Sequence, residues 1–161
     1  MPKAAAGKSL PAGGMGEDAF WSLIASLNWK KTGDDDAVVE PVVAALASMP
    51  QADIFRFDDL LAEKLHALDG EKYARNIGMD AYKDDEYFSL DLFLYARACT
   101  VANGRKAFET ALDNPKKMIK NKDFEVLLYV AQMAYERKTG KEYKHIPQPN
   151  YETGSNKSGW G

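Results

Sequence analysis

The sequence contains few of the residues from which a functional site is usually recognised. Cys99 is the single cysteine among 161 residues, which excludes an internal disulfide framework and an all-cysteine metal cage. No apolar run approaches the roughly 18 residues that a membrane span needs, so we expect no membrane helix. Lys3 and Lys8 are not followed by an apolar stretch, which argues against a secretory signal and favours a cytoplasmic protein.

Catalytic motifs are absent as well. The chain has two histidines, His66 and His145, and neither belongs to an HExxH motif or a comparable metal-binding spacing. No GxSxG nucleophile motif occurs. Cys99 falls inside an apolar stretch and is expected to be a small buried hydrophobe rather than a nucleophile. We therefore expect neither a metal nor a cofactor, and a non-enzymatic binding role is the leading hypothesis.

Charge is distributed unevenly along the chain. Residues 34–91 contain 15 acidic and 5 basic side chains, whereas residues 92–161 contain 7 acidic and 12 basic ones. Such asymmetry is typical of an interaction surface, although the two halves can also attract each other within the fold. Because the net charge is −3 and the acidic segment repels phosphates, nucleic acid is not an expected ligand.

Composition divides the chain into three parts. Residues 1–16 are rich in glycine, alanine and proline and are predicted to be a flexible arm. Residues 17–140 carry apolar side chains at helical spacing and are predicted to form the folded domain. Residues 141–161 contain Pro147 and Pro149, which exclude a regular helix, but they also contain aromatic side chains. We expect this last segment to be an extended tail that docks on the domain.

Helical spacing without strand-type alternation predicts an all-α fold, a single compact bundle of about six or seven helices. Residues 34–36 are predicted to cap a helix that has Pro41 near its first turn. Residues 84–86 are predicted to cap a long helix from Tyr87 to about Ala102. Asp123 is expected to cap the last long helix, which ends at Thr139-Gly140.

The segment YFSLDLFLYARACTVA, residues 87–102, holds two charged residues in an otherwise apolar run. A helix that is apolar on all sides is central to a fold, so Asp91 and Arg97 need dedicated partners. At about 100° per residue the two side chains point about 120° apart and cannot pair along one face. We expect Arg97 to find a carboxylate in the acidic helix at 53–69 or in the cap at 84–86.

A ligand pocket is the alternative explanation of these charges. Arg97 and Arg105, together with Asp91, Tyr95 and Tyr129, would make a polar pocket able to hold an anion or a small molecule, in a binding protein or an enzyme. The competing interpretation is an internal ion pair that fixes the register of the helices, with the tyrosines at the boundary of the core.

A protein partner with a basic surface is the leading functional hypothesis. The acidic segment would dock such a partner and speed its association, and a basic toxin that the protein neutralises is one concrete example. The candidate partner-binding residues are acidic side chains of the third helix and of the cap at 84–86, namely Asp58, Asp59, Glu63, Asp84 and Asp85. A homodimer through an apolar patch on the long helix is a further alternative.

Three segments resemble a known bacterial family. They are DAFWSLI, FLYARACTVANGRKAFETALDNPKKM and FEVLLYVAQMAYERKTG, and they resemble the family of domain of unknown function 4240. Asp91, Phe93, Tyr95, Arg97, Gly104 and Arg105 fall at the spacing of that family. The tail YETGSNKSGW is similar to the ending of one of its subgroups, while Cys99 and Thr100-Val101 mark a divergent branch. The resemblance implies a stand-alone bacterial helical domain, typically cytoplasmic, and supplies no catalytic residue.

Overall fold

The computed structural model describes residues 14–161, and over this range the chain is all-helical, with seven α-helices and no strand. The predicted arm at residues 1–16 therefore lies almost entirely outside the described residues. The helices are α1 (Glu17–Ala25), α2 (Asp35–Ala47), α3 (Gln51–Ala67), α4 (Glu71–Ala74), α5 (Leu90–Ala102), α6 (Arg105–Asp113) and α7 (Val130–Thr139). The predicted fold class is confirmed.

The contacts divide the chain into two interleaved units. The first unit consists of residues up to Leu60 and of Val126–Pro147, and the second of Leu61–Glu125 and Gln148–Gly161. The predicted tail, residues 141–161, is divided between the two units, since residues up to Pro147 belong to the first unit and residues from Gln148 to the second.

The first unit contains α1, α2, α7 and the first part of α3. Helix α2 packs against α7, and the bidentate pair of Arg137 with Glu40, at 2.8 and 2.9 Å, joins their exposed sides. The rings of Phe20 and Phe57 pack with their centroids 4.9 Å apart in the apolar core. Burial of apolar side chains at about 25 cal/mol per Å² supplies the main driving force for such packing.

The second unit contains the end of α3 together with α4, α5 and α6. Helix α5 is its most buried element, since nine of its 13 residues are buried. Large apolar side chains such as Leu65, Leu68 and Phe93 are fully buried in this unit. Residues 78–89, between α4 and α5, form an irregular connection that is fixed at its start by hydrogen bonds between Asn121 and the backbone of Ile77 and Met79.

The predicted starts of α2 and α5 compare differently with the structure. The Asp34 side chain accepts a hydrogen bond from the amide of Ala37, so the predicted cap of α2 is confirmed. Pro41, however, lies inside α2 rather than in its first turn. Helix α5 starts at Leu90 and not at Tyr87, because the Ser89 hydroxyl, rather than an acidic residue, accepts from the amide of Leu92.

The last long helix also begins later than predicted. Asp123 does not cap it, because residues Glu125–Tyr129 form a 3₁₀-helix before α7 begins at Val130. The helix ends as predicted at Gly140, whose left-handed φ of 70° suits a residue without a Cβ.

Candidate functional site

Arg97 is completely buried in the second unit, and its hydrogen-bond partners are unexpected. Its Nη1 donates to the carbonyl oxygens of Leu65 and Tyr151, each at 2.9 Å, and its Nη2 donates to the Thr153 hydroxyl at 2.9 Å. The guanidinium also lies over the ring of Phe93, 4.6 Å from its centroid. Burial lowers the pKa of Arg97 to about 10, with the negative charge of Asp69 opposing this effect, so the group stays charged at neutral pH.

These partners differ from the carboxylates that the sequence analysis expected. The expected partners were the acidic residues of 53–69 and the cap at 84–86, whereas two of the three acceptors of Arg97 belong to residues 151 and 153 of the tail. The Nε atom of Arg97 is buried without a hydrogen-bond partner. The described hydrogen bonds of this buried charge therefore go to carbonyl and hydroxyl oxygens. An anion could reach Arg97 only if the residues that carry these oxygens moved away.

Asp69, two residues after α3, is another buried charge of this unit. It is 1% exposed, and both of its oxygens lie 3.1 Å from the amide nitrogen of Gly154. It also accepts from the amide of Asn156 at 2.9 Å and from the indole Nε1 of Trp160 at 2.8 Å. Hydrogen bonds to a carboxylate are among the stronger ones in proteins. Residues 150–160, which we call the strap, thus supply these three donor groups of Asp69.

Aromatic contacts hold the end of the strap. The Trp160 ring lies 5.9 Å from the rings of Tyr82 and Phe93 and 6.3 Å from that of Phe88, centroid to centroid. His66 adds two contacts to the strap, through its Nδ1 to the carbonyl of Asn150 and through its own carbonyl to the side-chain amide of Asn156. The Trp160 ring of the strap therefore packs on α5 and on the connection that precedes it.

In the first unit, two of the predicted partner-binding residues contact the chain itself. The Tyr143 hydroxyl donates to Asp58 at 2.7 Å, and the His145 Nε2 lies 2.9 Å from Asp59. The His145 ring stacks on Phe55 at 4.7 Å. Burial raises the pKa of Asp58 to about 6, although the hydrogen bond from Tyr143 acts in the opposite direction. Glu63 is half-buried on the same helix.

The segment of residues 78–91, which we call the acidic loop, contains the other predicted partner-binding residues. Asp84 is exposed and pairs with Arg75 at 2.8 Å, and Asp85 is exposed with a left-handed φ of 63°. The loop also displays large apolar side chains: Met79 is 82% exposed, Tyr87 92% and Leu90 58%. Acidic and apolar side chains thus share one exposed segment.

A depression of about 180 Å³ adjoins the acidic loop in the second unit. Residues from the loop, from α5 and from the turn before Phe124 line it, namely Ile77, Met79, Asp80, Leu92, Asn121, Lys122 and Asp123. Pockets for drug-sized ligands are usually about 300–1,000 Å³. The depression is smaller than this range.

The residues of the predicted ligand pocket have different environments. Asp91 is exposed in the first turn of α5, so the expectation that it lies in the interior and needs a dedicated partner is wrong. Tyr95 is half-buried one turn later. Burial raises the pKa of Tyr95, and the charges of Glu125 and Asp91 add to this effect. Arg105 is exposed at the start of α6 and pairs with Glu109 at 3.0 Å, whereas Arg97 is buried. Tyr129, in the 3₁₀-helix before α7, is 43% exposed.

The described residues contain no arrangement that indicates metal binding or nucleophilic catalysis. Residues 14–161 include no group of three His, Cys, Asp or Glu side chains that could hold a metal ion. Cys99 is buried, and burial raises the pKa of its thiol to about 11, which disfavours the reactive thiolate. Within the same residues, no helix is both long and apolar enough to cross a membrane.

The sequence predicts a docking tail but not its contacts with the two buried charges. Thr153 contacts Arg97, whereas Gly154 and Trp160 contact Asp69. The signal that the sequence offers is the tail itself, which contains Trp160 and three glycines. It does not show which residue contacts which, because the partners are separated by more than 50 residues.

One family model matches this chain, the one described as protein of unknown function (DUF4240), over residues 15–137. The match covers more than half of the sequence, and the chain belongs to this family. No curated protein and no solved structure matches it. The match includes Asp69 and Arg97 but ends before the strap, so the strap lies outside the part of the chain that defines the family.

Proposed function

We propose that this protein is an interaction module that binds a protein partner with a basic surface through the acidic loop. The exposed apolar side chains within an acidic segment carry this proposal. Met79, Tyr87 and Leu90 present most of their surface to solvent in one short stretch. Contiguous exposed apolar side chains with a polar rim are typical of protein–protein contacts.

Charge supports the same choice of partner. The acidic loop contains five acidic residues and one basic residue, Lys83. A surface of this kind attracts basic proteins and raises their association rate, mostly at low salt. The Arg75–Asp84 pair is exposed, and exposed pairs of this type contribute little to stability, so a partner can replace it at little cost.

The acidic loop is a better candidate surface than the acidic residues of α3. Asp58 is buried beneath Tyr143, and Asp59 already contacts His145. The side chains of Asp84 and Asp85, by contrast, are exposed. A basic toxin that the protein neutralises in the bacterial cytoplasm is a concrete partner of this chemistry, and the family resemblance supports the bacterial setting. Two acidic loops repel each other, which disfavours a second copy of this chain as the occupant.

The experiment is a comparison of variants in an affinity capture from a bacterial lysate. The immobilised chain, the D84N/D85N variant and the Y87S variant are exposed to the lysate at about 50 mM and about 500 mM salt. We expect a basic protein to be retained by the wild type at low salt and to be lost with both variants and at high salt. After purification, that protein should bind the wild type at least about tenfold more tightly than D84N/D85N.

The matched control is D35N/D36N, which removes the same charge from an exposed position of the first unit. It should retain the partner. Equal retention by wild type and D84N/D85N would contradict the proposal. The remaining alternative is a homodimer, which light scattering at two concentrations detects. A dimer that forms in the wild type but not in Y87S would show that the loop binds a second copy instead.

A further inference from the structure

Two buried charges of the second unit are satisfied largely by the strap. Arg97 is 0% exposed and Asp69 1% exposed, yet the strap residues themselves are all half-buried or exposed. Tyr151 and Thr153 accept from Arg97, while Gly154, Asn156 and Trp160 donate to Asp69. The strap consists of a turn at residues 152–155 and a 3₁₀-helix at Lys157–Gly159. A surface segment that is held through hydrogen bonds of this kind resembles a bound peptide.

Several residues of the strap have contacts or backbone conformations that only particular residue types can provide. The Thr153 hydroxyl accepts from Arg97 and donates to the carbonyl of Leu90, so an apolar residue there would leave both groups without this partner. Gly154 has a φ of +94°, which residues with a Cβ rarely adopt. The Trp160 indole donates to Asp69 and packs against three aromatic rings.

At position 159 glycine is needed because there is no space for a Cβ, and not because of the backbone conformation. A Cβ on this residue would overlap the carbonyl oxygen of Asp69 and the Cα of Gly70. The turn between α3 and α4 therefore approaches the strap so closely that only glycine fits. Thr153, Gly154, Gly159 and Trp160 together form a pattern, Thr-Gly followed by Gly-Trp, that the surface of the second unit recognises.

We propose that Asp69 and Arg97 form a peptide-recognition site for segments with this pattern, and that the site accepts such a segment from another chain when its own strap is released. The strap is the resident ligand. Its covalent attachment gives it a high effective concentration, of about millimolar order, so a free peptide competes poorly with the intact strap. This proposal does not depend on the acidic loop as a partner-binding surface.

The test weakens the strap in the full-length chain and supplies it again as a separate peptide. The host is the G159A variant, because the added methyl group prevents the close approach to Asp69. The probe is a fluorescently labelled peptide with the sequence of residues 148–161, and its binding is measured by fluorescence anisotropy. We expect saturable binding to G159A, at least about tenfold tighter than to the wild-type chain.

Two controls show whether the binding uses the proposed site. The D69N/G159A host should bind the peptide at least about tenfold more weakly, because the carboxylate that pairs with Gly154, Asn156 and Trp160 is lost. A peptide with alanine in place of Gly159 should bind no better than a scrambled peptide. If a folded G159A host, checked by circular dichroism, binds the native and the scrambled peptide equally, the proposal is wrong.

Failure of the host to fold is also informative. In that case W160A replaces G159A, and excess peptide is added to either unfolded variant. Recovery of the helical circular dichroism signal supports the proposal, since the peptide then performs the role of the strap from outside. If neither variant folds and the peptide restores neither, the strap is an inseparable part of the fold and the proposal is overturned.

Discussion

Asp69 and Arg97 are joined through two adjacent residues of the strap: Arg97 donates to the hydroxyl of Thr153, and Asp69 accepts from the amide of Gly154. Opposite charges are thus held by neighbouring groups of a single segment. The negative charge of Asp69 also helps to keep Arg97 charged against the effect of burial. Loss of one partner leaves the other charge buried with fewer interactions, which is costly.

Replacement of Arg97 by methionine should reduce the free energy of unfolding by about 3 kcal/mol. Methionine has a similar length but offers no donor to Leu65, Tyr151 or Thr153. Urea denaturation measures the change. The control is R105M, which removes an exposed arginine paired with Glu109 and should cost less than about 0.5 kcal/mol. Similar losses in both variants would show that Arg97 has no special role.

Replacement of Asp58 by asparagine should flatten the dependence of stability on pH between about pH 4 and about pH 6. The folded-state pKa of Asp58 is raised from 3.8 to about 6, chiefly by burial, so the native protein binds the extra proton in this window. Stability therefore falls as pH rises through the window and remains lower above it. D58N removes this ionisation. The unfolding free energy of D58N minus that of the wild type should therefore be about 2–3 kcal/mol larger at pH 7 than at pH 4.

Thermal denaturation of both proteins across this pH range measures the effect. The Y143F variant provides a second check, because the hydrogen bond from Tyr143 lowers the pKa of Asp58. Its loss should move the midpoint of the pH profile upward. Parallel profiles for wild type and D58N would mean that Asp58 is not the titrating group.

Replacement of Gly78 by alanine should destabilise the protein more than the same change at Gly33. Both glycines have left-handed φ values, +97° and +106°, so both substitutions introduce strain of about 1 kcal/mol. At Gly78 the new Cβ would also overlap the side chain of Asn121, whereas nothing lies within 4 Å at Gly33. We expect a total loss of about 2–4 kcal/mol for G78A, measured by urea denaturation. Equal losses at the two positions would contradict the described packing of Asn121.

Cys99 should react slowly with thiol reagents in the native protein. Its pKa is raised to about 11 from 9.0 by burial, which reduces the thiolate fraction at pH 8 about 100-fold. Since the chain has one cysteine, a colorimetric thiol assay reports this residue alone. We expect native protein to react at least about 100-fold more slowly than protein in denaturant. A native rate close to the denatured one would show that Cys99 is accessible.

The helices could be predicted from the sequence because their signals are local. The spacing of Ile54, Phe57, Leu61 and Leu65 predicts a helix where α3 is found, and Asp34 caps α2 as expected. The start of a helix is harder to predict where two possible capping residues lie close together in the sequence. Ser89 caps α5 in place of residues 84–86, because those acidic residues belong to the exposed loop that precedes the helix.

Local patterns along the chain predict that it is helical, that it resembles its family, and that a charge such as Arg97 in an apolar helix needs a dedicated partner. Only the folded structure shows which groups are those partners. Thr153 and Trp160 meet Arg97 and Asp69 across separations of 56 and 91 residues. Contacts of this kind depend on the path of the whole chain, and no local spacing encodes them.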